Sequence, residues 1–242
     1  MRNIKYKNKN EVIILVLRKW DKIPEALKNK NTRHYYEILS KKKFDILLKR
    51  LFDFIIAGIL LILLLPILMI IAILVKFTSK GPILYKQERI TTYGKTFKIF
   101  KFRTMIENAD KIGSLVTMDN DGRVTKLGRF LRKVRLDELP QLFNILLGQM
   151  SFVGTRPEVQ KYVNCYSEEM LATLLMPAGV TSLASISFKD EEKYLNSDES
   201  VEDVYINKIL PDKMKYNLEY IENFNIFYDM KLMFKTVLAV LN

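Results

Sequence analysis

The chain has 242 residues, with 39 lysines and arginines against 27 aspartates and glutamates, and a formal net charge of +12. Its one cysteine, Cys165, excludes a disulfide within the chain, and its one histidine, His34, argues against histidine triads and multi-histidine metal sites. A base or nucleophile is therefore sought among the carboxylates.

The first 43 residues are predicted to form an N-terminal extension. Val12 to Leu17 predict a short strand, and the charged sequence that follows, through Ser40, favours a helix. Neither pattern indicates what the extension does.

The next segment is uncharged and apolar from Phe54 to Val75, which is long enough for a helix to cross a ~30 Å hydrocarbon core. Pro66 lacks an N–H and its ring crowds the carbonyl of Ile62, so we expect a bend there. Basic residues lie near both ends: Lys41, Lys42, Lys43, Lys49 and Arg50 before the run, and Lys76, Lys80, Lys86 and Arg89 after it.

Positive flanks prefer the cytoplasmic side of a membrane, and a spanning helix would place one of these flanks on the other side. We therefore predict that residues 44–76 form a re-entrant membrane helix, broken at Pro66, that enters and leaves one leaflet. The alternative is an ordinary spanning helix that tolerates its proline. In either case a membrane surface or a phosphate-bearing substrate suits the positive charge better than nucleic acid.

Residues 77–242 are predicted to form a helix-rich α+β domain. Two short β-like runs, Ile83–Tyr85 and Phe97–Phe102, are expected to pair as a hairpin. A polar loop through Asp119, Asn120, Asp121 and Gly122 leads to a basic amphipathic helix that begins near Thr125.

Two amphipathic faces follow from helical spacing. The members of the first are Leu127, Phe130, Leu131 and Val134, and those of the second, within Tyr220–Leu241, are Phe224, Phe227, Met230, Phe234 and Leu238. Such faces suit the membrane interface or packing on a core, and periodicity does not separate the two.

The strongest chemical candidate is the pair Asp137–Glu138, three residues before Pro140. Because proline is tolerated in the first turn of a helix, a helix through Gln141 is predicted to begin near Asp137, which would be its N-cap or the neighbour of that residue. There the positive helix end favours an ionised carboxylate and a bound phosphate. Asp137 could coordinate Mg²⁺ or attack phosphorus, or it could only cap the helix.

Four segments together resemble a known family in order and spacing. They are Lys49-Arg50-Leu51-Phe52-Asp53, the run Phe97–Met105, the run Arg135–Leu142, and Met150-Ser151-Phe152-Val153-Gly154-Thr155-Arg156-Pro157. On these motifs residues 44 to about 240 resemble the bacterial sugar transferases of the monotopic polyprenyl-phosphate phosphoglycosyl transferase superfamily.

The resemblance implies that a sugar 1-phosphate moves from a UDP-sugar to undecaprenyl phosphate, releasing UMP and starting a membrane-linked glycan. It implies an aspartyl phosphosugar intermediate on Asp137, with Glu138 as its acidic partner and Mg²⁺ as the required ion, bound at Asp137. Lys101, Arg132 and Arg156 would hold phosphates, although a lone lysine or arginine is ordinarily a surface cation.

The same resemblance implies a domain on the cytoplasmic face of the bacterial inner membrane, where a half-submerged enzyme meets a lipid phosphate and a soluble nucleotide. Two alternatives stay open. One is an Mg²⁺-dependent hydrolase of lipid pyrophosphates or nucleotides, and the other is a non-enzymatic membrane adaptor in which Asp137 is only a cap.

Overall fold

The computed structural model describes residues 17–109, 121–188 and 201–241, so the predicted strand at Val12–Leu17 and the loop residues Asp119 and Asn120 lie almost wholly outside it. The α-helices are α1 (Lys30–Ser40), α2 (Lys43–Thr78), α3 (Lys126–Lys133), α4 (Gln141–Leu146), α5 (Gln160–Val163), α6 (Leu183–Ser187), α7 (Val201–Val204), α8 (Leu210–Asn223) and α9 (Ile226–Leu241). The strands are β1 (Leu84–Ile90), β2 (Thr96–Phe102), β3 (Met150–Val153) and β4 (Ala178–Thr181). The helix-rich α+β class is confirmed.

The apolar segment forms one 36-residue helix, α2, which contains Pro66. By length and composition it can cross a membrane, and only 17% of its most apolar stretch is buried within the protein. Its buried residues repeat at helical spacing along one side: Ile46, Lys49, Asp53, Ala57, Leu68, Ile71 and Val75. Pro66 and most of the large apolar side chains lie on the exposed side.

The two halves of α2 pack on different parts of the domain. Ala57 joins a buried cluster with Phe97 and Ile99 of β2 and Leu142 and Ile145 of α4. Further along, Leu68, Ile71 and Val75 pack with Phe102 and with Leu131 of α3. The domain therefore rests along the length of the apolar helix.

The predicted hairpin is confirmed: β1 pairs antiparallel with β2, with Leu84 opposite Phe102 and Ile90 opposite Thr96. A second sheet, β3 parallel to β4, has no counterpart among the predicted elements. At its end a Cβ on Gly154 would lie 2.3 Å from the carbonyl oxygen of Pro177, so only glycine permits this close approach.

The N-terminal extension packs into the main hydrophobic core from Leu17 onward. Leu27 and Leu39 are fully buried in a cluster that includes Leu174 and Ile221. The helix predicted to reach Ser40 is confirmed as α1, whose N-cap Asn29 accepts a hydrogen bond from the backbone N–H of Thr32. Residues 17–43 thus contribute apolar surface to the core of the domain.

The C-terminal stretch is two helices rather than the single helix implied by its periodicity, because α8 ends at Asn223 and α9 begins at Ile226. The change of direction buries Phe224 completely, while Phe227, Met230, Phe234 and Leu238 are exposed. Helix α3 also divides its predicted face: Leu131 is buried and Phe130 is exposed. Each helix therefore uses one part of its apolar surface for packing and presents the rest outward.

Candidate active site

The site begins at a tight turn between α3 and α4. Arg135 has a left-handed backbone (φ 57°), and a 3-10 turn, Leu136–Glu138, follows it. Helix α4 then begins at Gln141, with Pro140 as its N-cap residue. The prediction that this helix begins near Asp137, with Asp137 as the N-cap or the residue next to it, is therefore wrong: the 3-10 turn brings both carboxylates inward before the helix begins.

Asp137 is buried, with 6% of its surface exposed. Its Oδ1 atom has no hydrogen-bond partner within the described parts of the chain, and no side-chain hydrogen bond caps α4. A buried carboxylate oxygen without a donor is costly unless a ligand or ion satisfies it. This argues against the reading of Asp137 as a helix cap and favours a role in binding or chemistry.

Glu138 is held between two of the predicted phosphate-binding cations. Its Oε1 atom accepts a hydrogen bond from Lys101 Nζ at 2.8 Å and from Arg156 Nη2 at 2.9 Å. Burial raises the pKa of Glu138, but the charges of Lys101 and Arg156 outweigh it and hold that pKa far below its usual range. Glu138 is therefore ionised at neutral pH and fixes both cations in place.

The pKa of the neighbouring carboxylate, Asp137, is shifted in the opposite direction. Burial and the negative charge of Glu138 raise the pKa of Asp137, while the cations Lys101, Arg132 and Arg135 oppose the shift. Two adjacent carboxylates with pKa values pushed in opposite directions are typical of a site with divided roles. Here Glu138 contacts two cations, while Asp137 keeps a buried oxygen without a donor among the described residues.

Arg132 lies in the last turn of α3. Its Nε atom donates a hydrogen bond to Thr104 Oγ1 at 2.9 Å, and its charge acts on Asp137. The structure thus groups the predicted site residues: Lys101, Glu138 and Arg156 in direct contact, with Asp137 adjacent in the chain and Arg132 within electrostatic reach. With Arg135, whose charge also acts on Asp137, the described residues place four cations around two carboxylates, a balance suited to an anionic substrate.

Sequence reasoning missed several polar residues around the site. Asn144 ties α4 to β2, because its Oδ1 accepts from the N–H of Phe100 and its Nδ2 donates to the carbonyl of Lys98. Gln141 Nε2 and Thr155 Oγ1 are buried and have no partner among the described residues. In the sequence, only the positions of Gln141 next to Pro140 and of Thr155 next to Arg156 could have indicated that they lie near the site.

The polar residues at the start of α2 connect the apolar helix to this site. Arg50 donates to the last carbonyls of α4, at 2.7 Å to Ile145 and 3.2 Å to Leu146. Lys49 is buried, forms an ion pair with Asp229 of α9 and donates to the carbonyl of Val153 at 2.7 Å. The helix that follows Asp137 and the strand that leads to Arg156 are therefore both held by α2.

Within the described ranges no group of three or more histidine, cysteine, aspartate or glutamate side chains could hold a metal ion. Among the described residues Asp137 offers a buried carboxylate oxygen without a donor, and Glu138 Oε1 accepts two hydrogen bonds. This donor set fits Mg²⁺, which prefers oxygen ligands and is commonly bound by one or two carboxylates together with waters and substrate phosphates.

Comparison with known proteins gives a family match over residues 44–242, to the family described as bacterial sugar transferase. The UDP-glucose:undecaprenyl-phosphate glucose-1-phosphate transferase of Klebsiella pneumoniae is 41% identical over 174 residues, which is 69% of this chain and 34% of that protein. The exopolysaccharide production protein ExoY of Rhizobium meliloti is 34% identical over 185 residues, 70% of this chain and 75% of ExoY.

A third relative is the UDP-N-acetylgalactosamine-undecaprenyl-phosphate N-acetylgalactosaminephosphotransferase of Aeromonas hydrophila. It is 33% identical over 174 residues, which is 70% of this chain and 38% of the relative. The chain thus spans little more than a third of the Klebsiella and Aeromonas proteins and three quarters of ExoY.

Proposed function

Because this chain belongs to the bacterial sugar transferase family, we propose that it transfers a sugar 1-phosphate from a UDP-sugar to undecaprenyl phosphate, releasing UMP. The observation that carries the proposal is the unpartnered, buried Oδ1 of Asp137 beside a Glu138 that fixes Lys101 and Arg156. Relatives named as undecaprenyl-phosphate sugar phosphotransferases support the same reaction. The product would be the first membrane-linked sugar of a glycan.

In the first half-reaction a carboxylate oxygen of Asp137 attacks the sugar-bearing phosphorus of the UDP-sugar. The bond between this phosphorus and the bridging oxygen breaks, its electron pair leaves with UMP, and the sugar 1-phosphate stays on Asp137 as an acyl phosphate. A phosphate oxygen of undecaprenyl phosphate then attacks the same phosphorus, and the electron pair of the bond to Asp137 returns to the carboxylate. Each attack uses the ionised form of its group, so neither step transfers a proton to a general base.

The cations of the site would hold the phosphates during both steps. Lys101 and Arg156 are fixed by Glu138, so their charges are in place before substrate arrives and need little reorganisation. Arg132 supplies a third cation on the α3 side of Asp137. In this arrangement Glu138 is a positioning anchor for two cations as well as the partner of Asp137.

Mg²⁺ would bind at Asp137 together with the substrate phosphates and neutralise charge that develops on them. We expect the purified enzyme to lose most of its activity in excess EDTA and to regain it when Mg²⁺ is added. The measurement is UMP release at fixed UDP-sugar and lipid concentrations. Full activity in EDTA would contradict the assignment of Asp137 as a metal ligand.

Arg156→Lys is expected to lower kcat/KM by ~10-fold or more, although it preserves the charge. A lysine lacks the planar fork with which Arg156 can contact Glu138 and a phosphate at the same time. Arg129→Lys, on the exposed side of α3, is the matched control and should leave kcat/KM near that of the wild type. A larger loss of kcat/KM in Arg129→Lys than in Arg156→Lys would show that Arg156 is not a phosphate-binding residue.

We also propose that α2 is re-entrant and that the domain lies on the cytoplasmic face of the inner membrane. Both ends of α2 are attached to the same domain: Lys49 donates to Val153, and Arg103 Nη2 donates to the carbonyls of Val75 and Ser79. A 36-residue helix is about 54 Å long, so a straight crossing would carry the attached domain into the bilayer. The charged surface of that domain would then face lipid.

Pro66 is the proposed site of the bend. It lies on the exposed side of α2, opposite the domain, and it removes the hydrogen bond that the carbonyl of Ile62 would accept. A helix opens on its proline side, so a bend at Pro66 would make the lipid-facing side convex and fold both halves towards the domain. Such a bend allows both halves to keep their contacts while only the middle of α2 enters the membrane.

This topology predicts that single cysteines near Lys43 and Lys80 are both protected from an impermeant thiol reagent applied from the periplasm. Cys165 is exposed and would first be replaced by serine. A matched pair of cysteines in the Pro66→Ala background tests the bend, because that change should allow a straighter helix and partial labelling near Lys43. If only one of the two cysteines is labelled in the protein that retains Pro66, α2 spans the membrane.

The function itself is tested with the full chain in detergent or nanodiscs, a panel of UDP-sugars and undecaprenyl phosphate. We expect sustained UMP release that requires the lipid acceptor and matches the lipid-linked product formed. Sustained UMP release without lipid would instead favour a nucleotide hydrolase. Absence of UMP with every donor would favour the membrane adaptor.

A further inference from the structure

Thr104 lies between the end of β2 and helix α3, and only 6% of its surface is exposed. Its Oγ1 atom accepts the hydrogen bond from Arg132 Nε at 2.9 Å. Three residues earlier in the chain, Lys101 contacts Glu138. Residues 101 and 104 are therefore both linked to cations whose charges act on Asp137, since Lys101 is itself one and Thr104 binds the other, Arg132.

The position of Thr104 is fixed by its backbone. Its carbonyl oxygen accepts from the N–H of Thr125, the N-cap residue of α3, at 2.9 Å. A Cβ on Gly128 would lie 2.0 Å from that same oxygen, so α3 can approach Thr104 only because Gly128 has no side chain. The preceding residue, Arg103, donates hydrogen bonds to the carbonyls of Val75 and Ser79 at the end of α2.

This placement matters for the orientation of Arg132. An arginine side chain has many rotamers, and holding it in one geometry costs conformational entropy. A hydrogen bond at Nε fixes the plane of the guanidinium and thereby the direction of its terminal N–H groups. The charge of Arg132 acts on the Asp137 carboxylate, so the orientation of this guanidinium matters for a phosphate bound beside Asp137.

We propose that Thr104 is a positioning residue, whose hydroxyl holds the Arg132 guanidinium in the plane required to bind the diphosphate of the nucleotide donor. The inference rests on the proposed function and adds to it a residue that does not itself touch substrate. It predicts that the hydroxyl matters only while Arg132 is present.

The test compares two pairs of proteins. The wild type and Thr104→Val differ by a hydroxyl in place of a methyl group, and Thr104→Ser and Thr104→Ala differ by the presence of a hydroxyl. We expect Thr104→Val to lower kcat/KM for the UDP-sugar by ~10-fold or more, the scale for a misplaced binding group, and Thr104→Ser to stay near the wild type. In an Arg132→Ala background, removing the hydroxyl should change kcat/KM by less than about twofold, since coupled residues are not additive. Thr173→Val, which removes a buried hydroxyl in a 3-10 helix of the main core, is the control.

The affinity for UDP, measured by calorimetry on the same proteins, separates this inference from the proposed function. A wild type that binds UDP without transferring sugar phosphate would sink the proposed function, while weaker UDP binding on loss of the hydroxyl would still support Thr104. If Thr104→Val does not fold, the Ser and Ala variants decide. Equal rates and UDP affinities for Ser and Ala, or an undiminished loss in the Arg132→Ala background, would overturn the proposal.

Discussion

Asp137→Asn is expected to lower turnover by at least ~10³-fold while the protein stays folded, because the change removes the oxygen that attacks phosphorus in the proposed reaction. Asparagine has nearly the same shape, and Asp137 Oδ1 accepts no hydrogen bond from the described residues that the change would break. Relief of the repulsion with Glu138 should leave stability unchanged or slightly higher. The measurements are UMP release and thermal unfolding on one preparation.

A donor labelled in its sugar-bearing phosphate gives a second measurement. Without lipid acceptor, acid quenching of the wild type should trap label on the protein, and Asp137→Asn should retain none. Asp203→Asn, on the exposed surface of α7, is the matched control and should behave as the wild type. Near-normal UMP release by Asp137→Asn would remove Asp137 from the role of nucleophile.

Lys49→Met is expected to destabilise the protein by about 3–5 kcal/mol, the usual cost of removing one partner of a buried ion pair. Lys49 has 1% of its surface exposed and pairs with Asp229, which also accepts a hydrogen bond from the hydroxyl of Tyr220 at 2.8 Å. Methionine preserves most of the volume but leaves the Asp229 charge buried without its cation. Thermal unfolding in one fixed detergent measures the loss.

The double variant Lys49→Met/Asp229→Asn tests the cause. Asparagine removes the unpaired charge and still accepts from Tyr220, so it should recover a large part of the lost stability. Lys43→Met, exposed at the start of the same helix, should have little effect. A double variant less stable than Lys49→Met alone would mean that the ion pair is not the source of the loss.

Elements with a strong local signal were predictable from sequence. The charge-free run from Phe54 to Val75 has few structural alternatives, and the hairpin β1–β2 combines apolar residues at the start of β1 and along β2 with the turn at Gly94. The parallel pair β3–β4 was not predictable, because its strands have four residues each and lie 24 residues apart in the chain. Such a pairing depends on contacts that periodicity does not record.

The sequence was enough to select the residues of the candidate site, but not to predict how they are arranged. Charge type and family motif were enough to select Asp137, Glu138 and the surrounding cations. The division of roles between the two carboxylates depends on which of them Lys101 and Arg156 contact, and adjacent residues give no local signal for that choice. The same limit hid Thr104, whose hydroxyl reaches Arg132 across 28 residues of chain.

The attachment of α2 at both of its ends bears on how a water-soluble form of this protein should be made. Deleting the helix would remove Arg50, which donates to the carbonyls of Ile145 and Leu146, and the carbonyl of Val75, which accepts from Arg103. The truncated domain would therefore lose contacts at both α4 and the end of β2. The helix should instead be kept, and its exposed apolar side chains should be replaced by polar ones. Polar residues at its outward positions, such as Ile62, Leu63 and Ile70, would remove the affinity for lipid while the inward row keeps its packing.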